Sequence, residues 1–311
     1  GDLSVFGKKN AMMLIETFKQ EGWDQVKVYS GLGLEEFEGV LEKSKALDLP
    51  VVGHIPHSAV TDHYHLAGKM KTIEHAEEVF QGPLKYQFNQ SGLASTARQL
   101  ARIDAVVCPT LITFHNLTRI SEDKQDFIDS LNVDYFTPFG LHFTQMGDVK
   151  FWLNTSKERA RYNRKEFEFI KDIVKKLNDE GVALVAGTDA GTNLVQPGVS
   201  LSRELSLMHQ AGVNKQVVLE AATINAARVM NVDHHLGTIE VGKKADIAIF
   251  SNNPLHDIKA LESPFAVIKN GLLVNQEEID KIKHSAKHVS GWWRSAARYL
   301  EAFSARMSYA I

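Results

Sequence analysis

The sequence predicts an α/β fold, a parallel sheet flanked by helices, and three observations point to it. Short β-branched apolar runs recur, stretches of helical periodicity separate them, and several of the runs end in histidine or aspartate. Ala11, Leu14, Ile15 and Phe18 share one helix face, Gly22 stops that helix, and Val26-Lys27-Val28-Tyr29 reads as the first strand. Leu34, Phe37, Leu41 and Leu47 mark a second helix ended by Pro50, followed by the strand Val51-Val52-Gly53-His54. Thr72-Ile73-Glu74-His75 is a third strand, Ser91 to Arg102 a helix, and Ala105-Val106-Val107-Cys108-Pro109 a fourth strand. After about 70 residues that include a charged helix from Ser156 to Asn178, the pattern resumes at Val182 to Gly187. Helices near Leu201 to Gln210 and Lys215 to Met230 follow. Five strands separated by helices fit either an open doubly wound sheet or part of a (β/α)₈ barrel. The long excursion between Pro109 and Val182 reads as a surface elaboration or as a lid over the strand ends.

The texture changes at about residue 232. Gly237-Thr238-Ile239 and Ala245 to Phe250 read as short strands, and Val267 to Val274 as a hairpin with an Asn-Gly turn. The last segment carries Val289, Trp292, Trp293, Ala296, Tyr299, Leu300, Phe303 and Met307 at helical spacing, an amphipathic tail expected to pack on the body. The expected division is therefore 1–231, an α/β portion; 232–275, a small β portion; and 276–311, a helical tail.

Composition narrows the function. Of 311 residues 44% are hydrophobic and 23% charged, enough apolar material for a sizeable core. The formal net charge of −3 gives no basic field for nucleic acid, and no apolar run approaches the ~20 residues of a membrane-crossing helix. With Cys108 as the single cysteine, a metal site must draw on His, Asp, Glu or Lys. The start, Gly1-Asp2-Leu3-Ser4, has neither an initiator Met nor a signal-peptide pattern, so processing or truncation is expected there and localisation is not legible.

Side chains alternate along a strand, so Lys27 shares a face with Tyr29 and opposes Val26 and Val28. Turned inward, that lysine must be neutralised or have a chemical task; at a strand end it can simply be exposed. The same parity places His54 with Val52, His75 with Ile73, and Asp189 with Gly187, all at C-terminal strand ends, where parallel α/β folds build their sites. One βα unit separates Lys27 from His54 and another separates His54 from His75, so successive strands deliver all three to one mouth. Two imidazoles with oxygen donors suit zinc, with a water held in an open position. His115, just past the fourth strand of this chain, is a candidate substrate contact or a surface loop residue. Glu74 has outer-face parity and reads as structural.

The runs Val26-Lys27-Val28-Tyr29, Val52-Gly53-His54-Ile55-Pro56, Thr72-Ile73-Glu74-His75-Ala76, Gly187-Thr188-Asp189-Ala190-Gly191, Ala221-Ala222-Thr223-Ile224-Asn225-Ala226-Ala227 and Gly237 to Asp246 together resemble the ordered motifs of the amidohydrolase superfamily. The likeness is to its imidazolonepropionase and prolidase-like branch and runs from about Gln25 to Val274. It implies a distorted (β/α)₈ TIM-type barrel. Lys27 would end its fourth strand, carboxylated by carbon dioxide and bridging the metals. His54 on the fifth strand and His75 on the sixth would be further ligands. Asp189 on the eighth would be both ligand and general base. The strands after residue 232 would be part of a small β-sandwich. The His-x-His pair of the family's first strand has no counterpart here, since only one helix precedes the strand of Lys27. His63-Tyr64-His65 matches it in letters alone and lies in a helical connection.

The expected function is a peptidase-like, metal-dependent hydrolase, cleaving an amide or related acyl bond in a dipeptide, N-acyl amino acid, lactam or ester through a metal-activated water. The alternative is a non-catalytic or single-metal derivative, or a fragment needing a partner chain to complete the barrel. Partners are then a small-molecule substrate and a second copy or complementing chain that covers the open sheet edges.

Overall fold

Residues 3–287 and 291–307 are described by a computed structural model. The chain divides into two compact units, each assembled from separated stretches.

The first unit is built mainly on Gly1–Pro109 and Asp172–Val185. Helix α1 (Lys8–Gln20) buries Ala11 and Ile15, and α2 (Leu34–Leu47), which packs along it, buries Phe37, Val40 and Leu41. Strands β1 (Val26–Val28), β2 (Val51–Gly53), β3 (Thr72–Glu74), β4 (Val106–Cys108) and β5 (Ala183–Leu184) form one parallel sheet in chain order. β2 is buried at every position while β1 alternates buried, exposed, buried. That contrast is what an inner strand covered on both faces and an edge strand should show. Between β3 and β4 lie the short helix α3 (Glu77–Gln81) and α4 (Gln90–Arg102). Helix α4 starts at the side chain of Asn89, which accepts from Gly92 N at 3.0 Å, and it buries Leu93, Thr96, Ala97 and Leu100 at 3–4 spacing.

The second unit comprises Thr110–Lys171 and Ala186–Ser304. Its first part carries the helices α5 (Leu111–Asp123), α6 (Gln125–Ser130), α7 (Pro138–Thr144), α8 (Lys150–Leu153) and α9 (Lys157–Asp179), the last leading back to the first unit. Most of the excursion packs with Leu194 in one cluster, in which Ile120, Phe127, Ile128, Val149 and Leu194 are buried against Leu131, Phe136, Leu141, Trp152 and Leu153. Helices α10 (Ser200–Gln210), α11 (Lys215–Ala222) and α12 (Ile224–Val229) follow. The antiparallel strands β6 (Ile247–Ile249), β7 (Ala266–Lys269) and β8 (Leu272–Val274) come next. Asn270 and Gly271, at φ 49° and 80°, make the two-residue turn that the Asn-Gly pair predicts. Helix α13 (Gln276–Ala286) opens on a capping box between Asn275 and Glu278. In α14 (Trp292–Met307) the expected packing is present: the Trp292 ring lies 5.2 Å from Phe139, and Tyr299 lies 4.9 Å from Phe143. Val289 and the side chains of Phe303 and Met307 lie outside the described residues. No helix among the described residues is long and apolar enough to cross a membrane.

Four local expectations are corrected. The strand expected over Val182 to Gly187 is only Ala183–Leu184, because the amide of Ala186 leaves the sheet direction for the carbonyl of Ala221. The helix expected over Lys215 to Met230 breaks at Thr223, whose φ of −130° and ψ of −92° are not helical and whose hydroxyl bonds the carbonyl of Leu219. Gly237-Thr238-Ile239 forms no strand: Gly237 is left-handed, Thr238 bonds its near neighbour Glu240, and Ile239 is exposed. His115 sits inside helix α5 and is buried, not in a surface loop.

Candidate active site

In the first unit the sheet register sets the site. Lys27 pairs with Val52, and Val52 with Thr72, so the ends of β1, β2 and β3 lie side by side. The amide of His54 donates to Val28 O at 3.0 Å, which ties the first residue after β2 to β1. The His54 ring stacks on Tyr29 at 4.9 Å and 21°, and the His75 ring is 4.7 Å away, tilted by 37°. Lys27 is exposed, with Nζ 5.2 Å from the centre of the Tyr29 ring. Three of the four residues expected as ligands thus converge at neighbouring strand ends, with Tyr29 packed between Lys27 and His54.

His75 reaches that position through a left-handed backbone, φ 71°, uncommon for a residue with a side chain. Its amide is held by Cys108 O at 2.8 Å, and its carbonyl accepts from Glu78 N at 3.2 Å. The turn therefore brings Glu78 back under β2, where Oε1 lies 2.5 Å from His54 Nδ1 with only 2% of the Glu78 side chain exposed. Oε2 of the same carboxylate, and the hydroxyl of Tyr64, are buried without a hydrogen-bond partner. Burial, and then the Glu78 charge, push the Tyr64 phenol above its ordinary range, so it stays protonated. His63 and His65 flank Tyr64 in a 3₁₀ turn with ring centres 6.2 Å apart and no strand before them. Among the described residues no three His, Cys, Asp or Glu side chains converge as a metal site.

Asp189 belongs to the second unit. It lies five residues beyond β5, half-buried and left-handed at φ 51°, and Oδ2 accepts from Thr192 Oγ1 at 3.2 Å. His115 is engaged at both ring nitrogens, Nδ1 with Asn116 Oδ1 at 3.2 Å and Nε2 with Arg203 at 3.4 Å. Phe127 and Phe167 meet its ring edge-on. Burial first, and three arginines after it, lower its pKa to about 4 against the pull of the Asn116 bond, so it is neutral at ordinary pH. The structure thus places His115 in a packing network around α5.

Beside Arg203 on α10 sits Glu204, fully buried, a residue that sequence reasoning missed. Its two oxygens accept from Leu111 N at 3.0 Å and Ile112 N at 2.7 Å, satisfying the free amides at the start of α5. The signal was present in the sequence, since Glu204 falls on the same helical face as Leu205 and Met208. Burial raises its pKa to about 8 from 4.5, against the two amide bonds. The folded chain therefore holds a proton that the unfolded chain has released, and between about pH 4.5 and 8 this group subtracts stability as pH rises. The urea midpoint is expected to fall from pH 5 to pH 9, and Glu204→Gln, which cannot ionise, is expected to flatten that slope. An unchanged slope would assign the dependence to another group. Glu78 was likewise missed, because Glu77-Glu78 at a helix start reads as ordinary acids favoured by the dipole.

The chain belongs to the amidohydrolase family, whose model matches residues 27–274. An imidazolonepropionase from Brevibacillus brevis is 38% identical over 110 residues, which are 33% of this chain and 25% of that protein. Among solved structures, bottromycin amidohydrolase matches with a TM-score of 0.71 at 23% identity, covering 92% of this chain and 63% of that one. A Xaa-Pro dipeptidase matches with a TM-score of 0.60 at 19% identity, covering 87% and 59%. The chain thus spans about three fifths of the solved chains and a quarter of the curated relative. These likenesses agree with the parallel α/β sheet and its flanking helices.

Proposed function

We propose that this chain carries the catalytic residues of a metal-dependent hydrolase that cleaves an amide or related acyl bond in a small molecule: a dipeptide, an N-acyl amino acid, a lactam or an ester. The observation that carries the reading is the pair of imidazoles, His54 and His75, with ring centres 4.7 Å apart at the ends of adjacent parallel strands. Relatives named imidazolonepropionase and a solved Xaa-Pro dipeptidase support the substrate class. Residues 1–231 form the barrel portion in this reading, 232–275 the small β-sandwich portion and 276–311 the tail.

The donor set fits a divalent ion, zinc first, when Lys27 is anionic. An ammonium cannot ligate. With carbon dioxide, the neutral amine of Lys27 forms an N–C bond and releases a proton, leaving a carbamate whose oxygens can. The exposure of Lys27 supports access of the gas to the amine. Lys27, His54 and His75 would hold the metal, which when bound supplies Lewis acidity at the scissile carbonyl and an acidified water. Asp189 takes the proton as water adds to the acyl carbon, and gives it to the leaving nitrogen or oxygen as the acyl bond breaks. Zinc analysis of the purified chain is expected to find bound metal, and His54→Ala and His75→Ala are each expected to lower its content sharply. Unchanged content in both variants would remove these residues from the ligand set.

A second observation favours assembly with another chain. Among the described residues β1 has one neighbour in the sheet, so it leaves a row of backbone groups open to pairing. A second copy or a complementing chain would cover them. Light scattering is expected to give at least twice the mass of one chain, and a stable monomer would contradict the assembly.

A further inference from the structure

We propose that α14 is a membrane-surface helix, resting the exposed apolar stripe of Trp293 and Leu300 on an anionic lipid bilayer while Arg294 and Arg298, beside that stripe, meet the lipid phosphates. The helix divides into three lengthwise sectors. At about 100° per residue, Trp292, Ser295, Ala296 and Tyr299 fall on one side. That side is occupied: Trp292 lies 5.2 Å from Phe139, Tyr299 lies 4.9 Å from Phe143, and Ser295 Oγ donates to Thr137 Oγ1 at 2.8 Å. Next around the helix come Leu300, Trp293 and Ala297, all exposed, Leu300 at 66% and Trp293 at 81%. Beyond them lie Arg294, Arg298 and Glu301, exposed as well. Packing on α7 thus accounts for one sector of the helix and leaves a second apolar sector facing outward.

The apolar surface continues on the neighbouring segment. Phe143, in contact with Tyr299, is 52% exposed, and Met146, three residues on, is 59% exposed. Met146 and Phe151 line an open hollow of about 570 Å³ together with Lys150 and Arg159, so there too large apolar side chains stand beside cations.

Charge selects the occupant. Residues 281–311 hold six lysines and arginines and one acidic residue, a net charge of +5 in a chain whose formal charge is −3. Positive charge is therefore concentrated on the segment whose helix shows a tryptophan to solvent. An anionic bilayer complements both properties, attracting the basic residues and taking a Trp–Leu stripe into the boundary between headgroups and acyl chains. Tryptophan suits that depth because its ring is apolar and its N–H polar. A second copy of the chain fits less well, since a stable protein interface takes about 20–30 residues a side and the stripe offers two large side chains. With Arg294, Arg298 and Glu301 along one side, the helix lies in the plane of the surface and does not cross it.

The test is co-sedimentation of the full chain with vesicles of phosphatidylglycerol and phosphatidylcholine in equal parts, and with vesicles of phosphatidylcholine alone, at about 0.01 M and about 1 M salt. The chain is expected to sediment with the anionic vesicles in low salt, and to stay in solution in high salt or with phosphatidylcholine alone. Trp293→Gln with Leu300→Gln is expected to abolish the binding, and Arg294→Gln and Arg298→Gln to weaken it by about 5-fold each, with denaturation midpoints as the control for folding. Lipids brominated along the acyl chain should quench part of the tryptophan emission of the parent, and less of it in Trp293→Phe. A parent that ignores anionic vesicles in low salt would overturn the proposal without any variant. Binding unchanged by loss of Trp293 and Leu300 would overturn it too. If the parent ignores vesicles and the Trp293 and Leu300 substitutions lower its mass in light scattering, the stripe joins copies of the chain and the bilayer is excluded. Vesicle binding needs neither zinc nor hydrolysis, so its outcome is independent of the hydrolase reading.

Discussion

On the proposed role of Asp189 as general base, Asp189→Asn should leave the chain folded and remove most of the proposed hydrolytic activity, by about 10²- to 10⁴-fold in kcat, the range a lost general base produces. The substitution is close to isosteric. Asn tolerates the left-handed backbone that Asp189 adopts at φ 51°, and its side-chain oxygen can still accept from Thr192 Oγ1. What the amide loses is the capacity to take a proton from water and hand it to the leaving group. The measurement is steady-state hydrolysis of a dipeptide, an N-acyl amino acid, a lactam and an ester by parent and variant, with the denaturation midpoint as the control for folding. A kcat within a few-fold of the parent, on any substrate the parent cleaves, would mean that another group accepts the proton.

The sheet was legible because its strands are β-branched runs bounded by Gly and Pro, and all five came out parallel and in chain order. The hairpin was legible from Asn270-Gly271, a pair whose backbone preferences leave few alternatives. His54 and His75 were legible from strand parity, and the structure brings them together. The misreadings have local causes. Thr223 and Thr238 satisfy their hydroxyls on nearby groups, Leu219 O and Glu240, which competes with helix or strand at those points. His115 carries a polar ring into a helix interior, where Asn116 and Arg203 satisfy both its nitrogens, and no periodicity signals such a partner in advance. Glu78 and Glu204 escaped for the same reason: each is buried, against His54 and against the start of α5, by contacts that only the fold brings about.

Gly53→Ala should be among the most destabilising single substitutions in the first unit, and it should disrupt the site as well as the sheet. Gly53 ends β2 with φ 120°, a region that residues with a β-carbon rarely enter. A β-carbon there would lie 2.2 Å from Val28 O, 2.9 Å from Val28 N and 3.0 Å from Lys27 Cγ. The obstructing atoms are mostly backbone of the neighbouring strand, so no rotamer change can clear them. β1 would have to move away from β2, breaking the bond from His54 N to Val28 O and separating Lys27 from the two histidines. Backbone strain and overpacking together should cost on the order of 4 kcal/mol. Gly191 provides the control, since it has nearly the same φ, 118°, and a β-carbon there meets nothing within 4 Å. Gly191→Ala should therefore cost about 1–2 kcal/mol, the conformational part alone. Urea denaturation of the two variants separates the terms, and zinc content of folded Gly53→Ala reads the displacement of Lys27. Equal losses in the two variants would mean that the conformation of Gly53, and not the close approach of β1, is what requires glycine at the end of β2.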